Sequence, residues 1–410
     1  MTALLPDRGP RRLLALATLV YTVGYGVYLT AGVLYFTRVV DLPASQVGIG
    51  LSVAGGVSLA AGVPVGHLAD RHGARGVYAG TLLLWTAAMG GLCLAHGFGL
   101  FLLFAALAAV AQSTGPAARG PLIKEYGGDR PAEFRAYLRS VTNVGIAVGA
   151  LLAGWGAQVG TARAYLLLIG GSAVCSLACA AVVMRLPVVA PTRAGSGPRW
   201  VALRDRPYVL VTVLDGVMAV QYRVLTAAVP LWILDRSSAP RWSVSAVMLV
   251  NTAIVVCLQV RASKGIDTPR AGAVAFRRAG FAFLISCGAI SLTPSLPAWV
   301  GLALLLGAVV VHTVGEIWHA AGGFELSFSL APAEAVGQYQ GLFGMGLGLG
   351  VTIGPALVIA LCVTWGTPGW WVLGAVLALT GLTVPPAVRW AQRELAKTEA
   401  AAATDEPAAV

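Results

Sequence analysis

The chain has 410 residues, of which 57% are hydrophobic and 11% charged, whereas soluble domains average about 25% charged. The net charge of +11 comes from basic residues scattered between apolar runs with no nucleic-acid motif around them, which excludes nucleic acid as a partner. Six Cys fall inside apolar runs without disulfide or zinc spacing, and the 51 Gly suit helices that approach closely in lipid.

A helical span needs about 20 apolar residues. On that basis six spans are predicted near 13–37, 46–68, 77–96, 99–121, 137–159 and 163–186. Six more follow near 207–234, 243–262, 276–294, 297–321, 338–363 and 369–391. The first stretch, behind Arg11 and Arg12, is too long for a signal peptide and leads into further spans. The polar connection Pro187–Arg206, rich in Pro, Gly and Arg, divides the spans equally. The expected fold is therefore an all-α integral membrane protein of about twelve helices in two pseudo-symmetric six-helix bundles, residues 1–186 and 207–391. Residues 187–206 form the linker between them, and 392–410, Ala-rich and acidic, are expected to be a disordered tail. Of the 28 Lys and Arg, only Arg38, Arg163, Arg236 and Arg241 fall on one face of this topology, and Arg223 falls inside a span. All the others fall on the opposite face, which places both termini and the linker in the cytoplasm of a multi-pass cell-membrane protein.

The halves also share an internal repeat. Pro131-Ala132-Glu133 recurs as Pro332-Ala333-Glu334, and the same offset carries Gly145 onto Gly346 and Gly149 onto Gly350. Each match opens the fifth span of its half.

Between spans two and three stands Gly66-His67-Leu68-Ala69-Asp70-Arg71-His72-Gly73-Ala74-Arg75. Gly66 permits close helix contact, Gly73 a tight turn, and Asp70 can pair with Arg or cap a helix N-terminus. This loop resembles the signature of the major facilitator superfamily, Gly-x-Leu-Ala-Asp-Arg-x-Gly-x-Arg, at the same position. The resemblance implies the fold described above and a gate-latching role for Gly66, Asp70, Arg71, Gly73 and Arg75. The equivalent second-half loop, Arg261 to Asp267, keeps an acid and bases but not the glycine spacing. Drug/proton antiporters of the superfamily carry a Gly-rich pattern with Gly-Pro in span five. Gly145, Gly149 and Gly154 match it, Ala150 replaces the proline, and the proline form appears instead in span eleven as Gly350-x-x-x-Gly354-Pro355.

Charges inside a bilayer are expensive and are retained mainly for function. The candidates are Asp215 and Arg223 on span seven and Glu316 and Glu325 on span ten. A partly desolvated carboxyl at Glu316 is suited to proton exchange near neutral pH, and His312 and His319 share its helical face. Asp215 lies at comparable depth, so the two acids are expected to titrate together or share a proton. Arg223 is a candidate counter-ion or a contact for an anionic solute. Tyr21, Tyr25 and Tyr28 line one face of span one and suit amphipathic or cationic ligands. Gln112, Asn143, Gln221, Tyr222 and Asn251 are further polar candidates for binding, and Arg119 is read as a gate or topology charge.

These features predict a monomeric transporter that exports hydrophobic or amphipathic small molecules by alternating access, using protons and no other cofactor. Proton-coupled import of a small metabolite is the first alternative, and a membrane receptor or scaffold without flux the second. An enzyme is disfavoured by the lack of a nucleophile elbow, a phosphate loop or a credible metal set.

Overall fold

The computed structural model describes residues 9–128, 130–189, 200–236, 240, 242–332 and 335–404. Among these residues twelve helical spans are long and apolar enough to cross a membrane. The first six are α1 (Pro10–Arg38), α2 (Ala44–His72), α3 (Ala74–Cys93), α4 (Phe98–Gly127), α5 (Pro131–Val159) and α6 (Ala162–Val183). A single turn, α7 (Val201–Arg204), leads into the seventh span. Several of these starts are written locally. Pro stands in the first turn of α1 and α5, where its missing N–H has no helical partner to lose, and Thr161 caps α6 by accepting from the Ala164 N–H at 3.2 Å.

The predicted seventh span, 207–234, is continuous in register but not in backbone. It consists of α8 (Arg206–Ala219), a 3-10 turn at Val220–Arg223, a π turn at Val224–Ala228 and α9 (Val229–Asp235). Pro230 in the first turn of α9 has no N–H to offer the Thr226 carbonyl, and the chain adopts wider spacing before it. Spans eight to ten are α10 (Ser243–Ala262), α11 (Pro269–Ser291) and α12 (Ala298–Ser329). Span eleven is α13 (Val336–Val358), with Pro355 inside it, followed by a π segment at Ile359–Trp365. The last helix, α14, runs from Thr367 to Thr404, so the tail expected to be disordered from residue 392 is helical as far as Thr404. Of the sequence features, Ala333 and Glu334 of the repeat, Arg241, residues 190–199 of the linker and the last six residues lie outside the described residues.

The chain divides into two compact units. The first comprises Met1–Trp200 with Ala333–Met345, and the second Val201–Pro332 with Gly346–Val410. The division thus falls inside α13 rather than only at the linker. Within each unit small residues stand at many helix contacts, while Leu151, Leu167, Leu249 and Trp299 are each at least 70% exposed, as lipid-facing side chains are.

The repeat is visible as packing. In the first unit a Cβ on Gly145 would overlap Thr22 Oγ1, and one on Gly149 would overlap the Val23 carbonyl and crowd Gly26. In the second unit the counterparts Gly346 and Gly350 meet Thr212 and Gly216 in the same way. Thr22 and Gly26 of α1 therefore correspond to Thr212 and Gly216 of α8, four residues apart in both cases. The two turns between second and third spans of each half also match: Gly73 has φ +94° and Gly265 φ +80°, which side-chain-bearing residues rarely adopt.

Candidate functional site

In the second unit, three polar residues spaced i, i+4 and i+7 on α12 face neighbouring helices inside an apolar interior. His312 Nε2 donates to the Gln221 amide oxygen at 3.1 Å, and the Phe283 ring packs 4.9 Å from its imidazole. One turn on, the Glu316 carboxylate accepts from Asn251 Nδ2 at 2.9 Å, and the same amide donates to Thr313 Oγ1 at 3.1 Å. At the next step His319 Nε2 donates to Asp215 Oδ1 at 3.0 Å, with both side chains 3% exposed or less. Phe276 meets the His319 ring edge-on at 5.1 Å and Tyr222 lies 5.7 Å from it.

Asp215 and Glu316 thus each bond to a different polar residue, which the sequence did not specify. Asp215 Oδ2, His319 Nδ1, His312 Nδ1 and Gln221 Nε2 are buried with no hydrogen-bond partner among the described residues. Buried polar atoms are normally satisfied, by protein groups or by ordered water. A histidine–aspartate pair is electrically neutral when it holds one proton and carries a buried negative charge when it holds none. Glu325 is buried further along α12. Arg223 Nε donates to the Val351 carbonyl oxygen at 3.0 Å, a backbone partner that its isolation in an apolar span did not foretell.

In the first unit Tyr21, Tyr25 and Tyr28 of α1 surround Trp85 of α3 with ring centroids 5.8, 5.6 and 5.3 Å away. Trp85 is buried, its indole N–H donates to Ser172 Oγ at 3.3 Å, and the three tyrosines are half-buried. Exposed Gln112 of α4 donates to the Tyr25 hydroxyl at 3.1 Å. Asn143 stands half-buried on α5, the helix packed along α1. Arg119 donates to Thr18 Oγ1 at 3.2 Å and lies over the Tyr78 ring at 5.9 Å. Trp85, the hub of the cluster, carried no signal of its own in the sequence, because a lone tryptophan in a span is ordinarily a packing residue.

The signature loop acts on a helix N-terminus. Asp70 accepts from the backbone N–H groups of Gly337 at 2.7 Å and Gln338 at 3.0 Å, at the start of α13 and within the first unit. Those N–H groups have no intrahelical partner, and the carboxylate complements the positive end of the helix. Gln338 Nε2 donates to His67 Nδ1 at 2.9 Å. Gly66 lies directly against the Gly337 carbonyl, Arg75 donates to the Leu186 carbonyl at 2.8 Å, and Arg71 is exposed.

Twelve apolar helices among the described residues, in two related units that both bury ionisable side chains, have the architecture of a polytopic membrane transporter. The major facilitator superfamily model matches residues 14–318, and the chain belongs to that superfamily. No curated protein matches the sequence. Among solved structures, it is similar to a bacterial homologue of the iron transporter ferroportin in an outward-facing state (13% identity, TM-score 0.72, covering 94% of this chain and 99% of that one). It is likewise similar to the E. coli fucose:proton symporter (14%, 0.68, 93% and 98%) and the human organic anion transporter MFSD10 (15%, 0.61, 92% and 99%). At these identities the likeness is one of fold. The protein is a secondary transporter working by alternating access, and not an enzyme.

Proposed function

We propose that the protein couples export of a hydrophobic or amphipathic small molecule to a proton gradient, as drug/proton antiporters do, and acts as a monomer in the cell membrane with both termini cytoplasmic. One observation carries the reading: His312, Glu316 and His319 form a ladder along α12, each held by a polar side chain of another span. Ionisable groups at membrane depth carry an insertion penalty of about 2.5–3.5 kcal/mol each for charged residues, so a run of them is kept for what it does. Glu316, with the Asp215–His319 pair beside it, takes a proton from one side and releases it to the other. Tyr21, Tyr25 and Tyr28 around Trp85, with Gln112 at the exposed edge, supply an aromatic, hydroxyl-tipped surface for a planar or cationic ligand.

Proteoliposomes loaded with an acidic lumen test the proposal, with ethidium as the planar cation. Wild-type protein is expected to accumulate ethidium under that gradient, and Glu316→Gln to abolish the accumulation. Undiminished accumulation by Glu316→Gln overturns the coupling role, and accumulation only under the reverse gradient assigns import instead. Gln112→Leu removes one hydrogen bond to Tyr25, worth roughly 0.5–1.5 kcal/mol, and is expected to raise the ethidium half-saturation concentration by about two- to tenfold.

A further inference from the structure

Two spans of the second unit are broken, and one side chain joins the breaks. Pro355 lies inside α13 and has no N–H, so the carbonyl four residues earlier, that of Val351, has no helical donor. Arg223 Nε occupies that carbonyl at 3.0 Å. The stem of Arg223 reaches it past Gly354, where a Cβ would lie 2.7 Å from Arg223 Cγ. Gly354 and Pro355 therefore act as a pair: the proline frees an acceptor, and the glycine leaves room for the donor's stem.

Arg223 is also the last residue of the 3-10 turn Val220–Arg223, whose preceding residues touch the α12 ladder. Gln221 bonds to His312, and the Tyr222 ring lies against His319. A 3-10 turn followed by a π turn has poorer hydrogen bonding than a regular helix and needs an outside anchor to hold one geometry. Discontinuous spans of this kind recur where transporters build their working sites.

We propose that Arg223 is a positioning residue: by occupying the carbonyl freed by Pro355, it holds the turn in the geometry that presents Gln221 to His312 and Tyr222 to His319. The significance of that geometry for transport rests on the proton-ladder reading above, whereas the clamp itself does not.

The test is a cycle of Arg223→Leu and Pro355→Ala in the full-length protein, measured by apparent Tm and by NMR titration of the His312 and His319 imidazoles. Alanine at 355 returns an N–H to the Val351 carbonyl. Arg223→Leu is therefore expected to lower Tm by several degrees in the wild-type background and by less than half as much beside Pro355→Ala. It is also expected to displace the His312 and His319 titration curves, which a loss of general stability does not do. Equal Tm losses in the two backgrounds, or unmoved titration curves, overturn the proposal. Neither readout involves transport, so a failure of Glu316→Gln to block ethidium accumulation would sink the ladder reading while leaving the clamp to be decided here.

Discussion

His319→Leu is expected to destabilise the protein far more than Asp215→Asn, although the two residues share one hydrogen bond. In the wild type His319 Nε2 donates to Asp215 Oδ1 at 3.0 Å with both side chains almost fully buried. Leucine at 319 leaves the buried Asp215 carboxylate without its donor in that contact, and stranding one member of a buried pair costs about 3–5 kcal/mol. Asparagine at 215 still offers an oxygen to a neutral imidazole, so most of the bond survives. The double variant with leucine at both positions replaces the pair by apolar volume and is expected to recover most of the stability lost in His319→Leu. Additive losses across the double-mutant cycle would show that the two side chains do not act as a pair.

Gly66→Ala is expected to abolish transport, and Asp70→Asn to reduce it by about tenfold or more. A Cβ at Gly66 would overlap the Gly337 carbonyl, and one at Gly337 would overlap Gly66 and lie 2.7 Å from Asp70 Oδ1. Backbone meets backbone on both sides, so no flexible side chain can yield, and the start of α13 must move away from α2. Asp70→Asn keeps the shape but removes the charge and one acceptor of the two N–H bonds; bonds to charged groups contribute about 1.5–3 kcal/mol each. Asp70→Ala removes both and is expected to resemble Gly66→Ala. Initial rates of ethidium movement, compared at matched levels of folded protein, check the series. Wild-type rates in Gly66→Ala would mean that α13 does not need this close approach to work.

Composition and hydropathy alone determined the number and approximate place of the twelve spans, because a bilayer demands about 20 apolar residues per crossing whatever the neighbouring helices do. The signature loop, the glycine repeat and the shared face of His312, Glu316 and His319 were likewise legible, since each depends on residues close in sequence or on helical period. Partners were not. Asp70 meets Gly337 and Gln338 across more than 260 positions, and Asp215 chooses His319 while Glu316 chooses Asn251. Helical periodicity says which residues share a face, but the crossing angle and axial offset of two packed helices decide which residues touch, and those depend on every small residue along the contact. Arg223 illustrates the difference. Its isolation in an apolar span marked it as important, yet only the fold placed its Nε on the carbonyl that Pro355, on another helix, leaves without a donor.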